Sequence, residues 1–299
     1  MRMRHASGLS DHAKTVRQLA MPITYAAHMS PTLAAIHIFP VKSCAPLTLT
    51  EAHVETRGLA RDRRWMVIDA EDKFVTGRDE PRLTLIHALP HDDALTLDAP
   101  GMPTLRISAP SADAPRVQTA VWGAAVAPRS VSREADAWIS AFLGRPHRLV
   151  HMDAACHRAV KAKYDGRYGE DGDEVSLADA FPLLLISQAA LDLLNSKLPA
   201  PVPMLRFRPN LVVAGTAPHA EDAWKRIRVG AVEFDVVKPC TRCVFTTVDF
   251  ERGERDPSGE PLRTLIGYRR GEEGVTFGQN LIPRGHGVVR VDDVVCVLD

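Results

Sequence analysis

Short strand-like runs, cut apart by Pro, Gly and Asp, follow one another from Leu33 to the C-terminus. "LAAIHIF" (Leu33–Phe39) is apolar and stops at Pro40. "RRWMVIDA" (Arg63–Ala70) leads through the turn-like "EDK" into "FVTGR". "RLTLIHAL", "ALTLDA", "TLRISA" and "RVQTAVW" alternate apolar with polar residues. The last hundred residues repeat this texture in "NLVVAG", "RIRVG", "VEFDVVK", "CVFTTVD", "VTFGQNLI" and "GVVRVDDVVCVL". Helices are few. Ser132 can cap one, with Ala135, Trp138, Ile139 and Phe142 on one face and Gly144 and Pro146 ending it. Ser187 can cap a second that runs through Leu198, and Pro261 can open a third in "PLRTLIGYRR". Many short strands with few helices predict an α+β chain that is mostly β, with a β-barrel core and a few decorating helices.

Residues 1–30 are set apart. They hold Arg, His and Lys but no sustained apolar stretch of the kind a secretory signal needs, so a disordered extension is expected. The remainder is expected to divide into 31–148 and 149–299. A polar Gly- and Asp-rich stretch, Ala162–Ala180, reads as a long loop of the kind that often carries function.

Formal net charge is zero and the pI is about 7.2, so composition forces no strongly basic face and nucleic acid is a poor default partner. No run of eighteen apolar residues is present, which argues against a membrane span. Five cysteines are too few for a disulfide scaffold, and their odd number leaves one free. That usage predicts a reducing, cytoplasmic setting.

"KPCTRC" (Lys238–Cys243) holds two of those cysteines. A structural zinc site needs about four ligands. The other thiols, Cys44, Cys156 and Cys296, are single, and the pairs His87/His91 and His147/His151 lie far upstream. A thioredoxin-like dithiol belongs at a helix start, whereas this pair sits between two β-like runs. Two ordinary thiols in a sheet, or a thiolate completing a soft-metal cofactor that brings its own sulfurs, also fit. Lys238 and Arg242 are cationic neighbours that would favour the second of these.

Other clusters point to an anion. "PVKSC" ends the first strand with Lys42 and Ser43, an ammonium and a hydroxyl at one point. "ARDRRW" supplies Arg61, Arg63 and Arg64, with Arg61 and Arg63 on one face if the segment is extended. "VTGRDEPRL" adds Arg78, and "RFRPN" adds Arg208 and Asn210 ahead of a buried strand. Each cluster is weak alone. Together they suggest an anionic, hydrogen-bond-rich ligand.

"PVKSC", "GLARDRRWMVID", "VTGRDEPRLTLI", "FRPNLVV", "CTRCVFTTVD", "EPLRTLIGYR" and "FGQNLI" occur in the order and spacing of a known family. From about Leu33 onward the chain resembles MOSC-domain proteins with an N-terminal MOSC β-barrel domain, the amidoxime-reducing components and their bacterial counterparts. The resemblance implies molybdenum cofactor, Mo-molybdopterin, with its terminal phosphate. It implies Cys243 as the single protein ligand to molybdenum, and Cys240 as a supporting thiol. Lys42, Ser43, Arg63, Arg78, Arg208 and Asn210 match positions implied to contact cofactor, with Ser187 and Thr241 as further candidates. Asp249 is implied to lie close to Cys243 and to assist catalysis.

The activity implied is two-electron reduction of N–O bonds in small N-hydroxylated compounds. No cysteine-rich cluster motif follows "VVCVLD". Electrons are therefore expected from a separate protein: a ferredoxin, a cytochrome b5-like protein or a flavin reductase. The competing expectation is a sulfur carrier holding a persulfide on Cys243. A carrier has no need of Lys42, Arg63 and Arg208 gathered around an anion. A third expectation is a protein that binds the cofactor only to deliver it.

Overall fold

The computed structural model describes residues 30–160 and 168–299. The expected extension lies outside the described residues but for its last member, as does the first part of the Ala162–Ala180 loop.

One sheet organises the molecule. Its strands run in the spatial order Leu47–Leu49, Thr32–Ile38, Leu211–Ala214, Leu183–Ser187, Gly274–Pro283, Val232–Thr241, Arg226–Val229 and Val295–Val297. All neighbours are antiparallel except Leu183–Ser187 and Leu211–Ala214, which are parallel. The last strand comes back to the first. Thr32 bridges Val294, and the Val295 N–H donates to the Pro31 carbonyl at 2.7 Å. The apolar positions of these strands, from Leu33 and Ile36 through Phe234 to Val295, form one buried core. This is the mostly β architecture the sequence predicts. Two strands from before residue 148, Thr32–Ile38 and Leu47–Leu49, belong to this sheet.

Smaller sheets make a second body. Trp65–Asp69 pairs with His147–His151, and the meander His87–Pro90, Ala94–Asp98 and Leu105–Ser108 lies beside it. Helix α1 (Arg133–Leu143) buries Ala135, Trp138, Ile139, Phe142 and Leu143 into this core. Its ends follow the sequence: the Ser132 side chain accepts from the Ala135 N–H, and Gly144 closes it at φ 76°.

Several local expectations are corrected. Helix α2 (Gln188–Asn195) stops short of Leu198 because the Asn195 amide turns out to bond both the N–H and the carbonyl of Val202. "RLTLIHAL" is strand only from His87; Pro81–Leu85 is a 3-10 turn opened by its proline. "CVFTTVD" is likewise a 3-10 turn over Val244–Thr247, whose threonine hydroxyls bond back to Cys243 and Val244 carbonyls. Arg61 and Arg63 do not share an extended face. Both are left-handed, at φ 66° and 50°, in the turn before Trp65.

Candidate active site

A cleft of about 450 Å³ opens where the two bodies meet. The loop after the first strand, the turn before Trp65 and the segment before Leu211 form one end. The Cys240–Cys243 segment forms the other.

At the first end the Lys42 N–H is tied to the Trp65 carbonyl at 2.8 Å, and Ser43 is left-handed at φ 67°. Both side chains line the cleft and both are buried. Lys42 donates to the Leu177 carbonyl at 2.9 Å and pairs with Asp179. Burial pushes its pKa down to about 8 against the pull of Asp179. Arg63 donates to Asp62, which is fully buried, at 2.6 Å and to Asn210 Oδ1 at 3.1 Å. Asn210 also accepts from the Leu184 N–H and donates to the His37 carbonyl. It therefore ties three strand ends together as well as lining the cleft.

Arg208 ends a 3-10 turn, Met204–Phe207, in a left-handed conformation at φ 56°. Its guanidinium packs over Phe39, with 4.0 Å to the ring centroid, and donates to the Cys44 carbonyl at 2.8 Å. Its Nη2 is buried with no partner. Burial, then the neighbouring Arg63 charge, lower its pKa to about 9. A guanidinium held this way, with an N–H unmet, is incomplete without an acceptor.

At the second end, the strand Val232–Thr241 slips register twice against Gly274–Pro283, around Val236–Lys238 and Pro239–Thr241. Pro239 has no N–H for the ladder, which suits it to such an irregular stretch. The bulges bring Lys238, Cys240, Thr241 and Cys243 to the cleft. Cys243 is half-buried, and its Sγ accepts from Arg78 Nε at 3.0 Å. Arg78 also donates from Nη2 to Asp179 at 2.8 Å. Burial works against that cation, but Asp179 and Cys243 outweigh it and hold its pKa above the usual arginine value. Gly77 explains the close fit: a Cβ there would lie 2.2 Å from the Phe245 ring, two residues past the thiol.

Asp179 links the two ends. It accepts from Lys42, Arg78 and Trp122, and although its side chain is 49% exposed these partners keep its carboxyl well below the usual range. Buried Arg158 fixes its loop by donating to the Ser176, Ala178 and Asp179 carbonyls.

The chain matches the MOSC N-terminal beta barrel domain over residues 30–146 and the MOSC domain over residues 172–296. It is 39% identical to mitochondrial amidoxime-reducing component 1 of Mus musculus over 285 residues, covering 89% of this chain and 82% of that one. Identity to the Homo sapiens component 1 is 35%, covering 89% and 83%. Identity to the Rattus norvegicus component 2 is 35%, covering 88% and 82%. The chain belongs to the MOSC-domain family of amidoxime-reducing components.

Of the positions singled out for this MOSC protein, Lys42, Ser43, Arg63, Arg78, Arg208, Asn210, Thr241 and Cys243 all line the cleft. Ser187 does not reach it. It is fully buried, and its hydroxyl accepts from the Ala190 N–H as the cap of α2. Asp249 is also off the cleft wall, where it accepts from Arg206 Nη2 at 3.0 Å and so steadies an arginine that does line it. Lys238 pairs with Glu273, while Arg242 donates to Cys240 Sγ at 3.0 Å.

Sequence reasoning missed Asp179, Arg206 and Trp122. Asp179 lay in the loop already marked as long and polar, and Arg206 inside the quoted "RFRPN". Trp122 carried no signal beyond ending a strand-like run. Among the described residues no three His, Cys, Asp or Glu side chains could hold a metal ion together. Among them too, no helix is long and apolar enough to cross a membrane.

Proposed function

We propose that this protein holds molybdenum cofactor in the cleft and reduces N–O bonds of small N-hydroxylated compounds. The observation that carries the reading is Arg208. A partly buried guanidinium, one of whose N–H groups has no partner, lines the same cleft as a half-buried thiol. That donor set fits a group bearing a phosphate at one end and a thiophilic metal at the other.

Lys42, Ser43, Arg63 and Arg208 would hold the phosphate, and Cys243 would be the protein ligand to molybdenum. Bound there, the cofactor would supply the two-electron redox chemistry for cleaving the N–O bond, while these residues would bind and orient it. Arg78 Nε aims the thiol by donating to Sγ. Asp179 fixes Lys42 and Arg78 relative to each other, and so fixes the cradle relative to the thiol. Each turnover consumes two electrons and two protons and releases water with the reduced amine or amidine. The electrons come from a separate redox protein. The cysteines are all free thiols, in keeping with a reducing compartment such as the cytoplasm.

The test is molybdenum and pterin analysis of purified protein, with benzamidoxime reduction driven by a chemical electron donor. Stoichiometric molybdenum, and reduction that disappears in Cys243→Ser, is the expected result. Protein from cofactor-rich cells that carries neither metal nor pterin would sink this reading. A persulfide on Cys243 would then point to sulfur carriage. Bound cofactor without turnover by any donor would point to delivery.

A further inference from the structure

Arg206 and Arg242 both line the cleft, from different segments. Arg206 belongs to the 3-10 turn Met204–Phe207 that leads into Arg208, and Arg242 precedes Cys243. Each reaches across to the other's segment. Arg206 donates from Nη1 to the Thr247 carbonyl and from Nη2 to Asp249 Oδ2, both at 3.0 Å. Arg242 donates from Nη2 to the Phe207 carbonyl at 2.7 Å. The Arg206 side chain is only 8% exposed, so its pair with Asp249 is not an ordinary solvent-washed surface bridge.

The partners are themselves anchored. Asp249 Oδ1 accepts from the N–H groups of Glu251 and Arg252, at 3.0 and 3.2 Å, which fixes the carboxylate within its own hairpin. That hairpin sits on the other body: a Cβ on Gly253 would lie 2.8 Å from Leu85 Cδ1 and 3.2 Å from Arg82 Cα. Arg242 donates its backbone N–H to the Val275 carbonyl at 2.7 Å and its Nη1 to Cys240 Sγ at 3.0 Å. Cys243 lies between these points. The turn that follows it, Val244–Thr247, ends on the carbonyl that Arg206 holds.

We propose that Arg206 and Arg242 form a reciprocal clasp that sets where the Cys243 thiol stands relative to the Arg208 cradle, with Asp249 as its fixed post. The inference rests on the reading above. All three are positioning residues, acting through Cys243. A ligand held by a phosphate at one end and a thiolate at the other has a set span, and a misplacement of about 1 Å can cost about a hundredfold in rate. Arg78 aims the sulfur, and the clasp carries the backbone from which it is aimed.

The experiment uses the full chain, as wild type, Arg206→Met, Arg206→Lys, Arg242→Met and Asp249→Asn. Amide hydrogen exchange is read first, with no substrate or electron donor added. The Thr246 and Val248 amides are bonded within the thiol turn, and the Arg208 amide within the cradle turn. Arg206→Met should speed exchange of the first two about tenfold, and Arg242→Met should do the same to the third. Asp249→Asn should show the Arg206→Met pattern in weaker form, and Arg206→Lys should recover part of the protection. Exchange in α1 should hold its wild-type rate. In cofactor-loaded protein, Arg206→Met should lower kcat for benzamidoxime about tenfold while KM and pterin content hold.

Faster exchange only on the substituted residue's own side, or equally throughout the molecule, overturns the clasp. So does pterin lost along with kcat in Arg206→Met, which would make Arg206 a direct cofactor contact. Should Arg206→Met fail to fold, Asp249→Asn and Arg242→Met decide by the same exchange pattern. The predicted pattern in a chain whose wild type carries neither molybdenum nor pterin would leave the clasp as proposed and remove the reductase reading. Turnover by wild type with exchange unchanged in every variant would do the reverse.

Discussion

The two ends of the cleft are both cationic, yet they are built differently. At the Lys42–Arg63–Arg208 end Lys42 is buried, the two arginines are partly buried, and the charges crowd each other. Arg208 keeps an unmet N–H, and its pKa falls to about 9. At the Arg78–Cys243 end the arginine is already satisfied by Asp179 and the thiol, and its pKa rises. The contrast teaches that charge alone does not mark a binding site. On the proposed reading, the acceptor that Arg208 lacks would come from a bound anion. The thiol end holds its sulfur in place through Arg78.

The strongest way to break this contrast is Arg208→Ala. It removes a charge-assisted contact of roughly 1.5–3 kcal/mol, so pterin retention should fall about ten- to a hundredfold. Dialysis against excess apo-acceptor, with pterin counted afterwards, measures it. Retention equal to wild type would mean that Arg208 does not face the phosphate. Without ligand, the isosteric-length change Arg208→Met should raise Tm, because it relieves a poorly solvated cation beside Arg63.

A pH series sharpens the comparison next. The folded pKa of Lys42 is about 8, below its ordinary value near 10.5. Between those values the unfolded chain holds a proton the native chain has lost, so this group's contribution to stability rises with pH across that window. Anion binding runs the other way, since the ammonium charge disappears above about 8. The Tm gain produced by added pyrophosphate should therefore shrink several-fold from pH 7 to pH 9. A constant gain would show that Lys42 does not hold the anion.

Asp179→Asn gives a smaller shift of the same profile. Asp179 raises the Lys42 pKa. Removing its charge should move the loss of pyrophosphate protection to lower pH. A profile unmoved by the substitution would contradict the link between the two ends.

Ser187→Ala should do least at the cleft. It removes the α2 cap, for a stability cost of about 1 kcal/mol, and should leave pterin content unchanged. A lower pterin content at unchanged Tm would restore Ser187 as a cofactor contact.

The difference between the two ends also explains what the sequence made legible. The cradle residues follow strands or precede them, in "PVKSC", "RDRRW" and "FRPN", where a run of apolar residues announces the strand and its polar neighbours stand out. Their conformations were not legible. Ser43, Arg63 and Arg208 are all left-handed, which their side chains do not favour and which the tertiary contacts impose. The thiol end was harder still. Bulges in Val232–Thr241 and the 3-10 turn after Cys243 depend on Pro239, on threonine back-bonding and on Phe245 lying against Gly77. Alternation of apolar residues reports none of these. Asp179 escaped for another reason: its role comes from partners at positions 42, 78 and 122, all distant in sequence. Ser187 was legible as a cap and misleading as a ligand, because one serine satisfied both patterns.

The most direct test of the two-ended cleft sets Cys243→Ser beside Arg208→Ala, with pterin content and benzamidoxime reduction measured on each. The account predicts that Cys243→Ser keeps pterin and loses reduction, while Arg208→Ala loses pterin and, when reloaded with excess cofactor, recovers reduction. Loss of pterin in Cys243→Ser together with full retention in Arg208→Ala would contradict it.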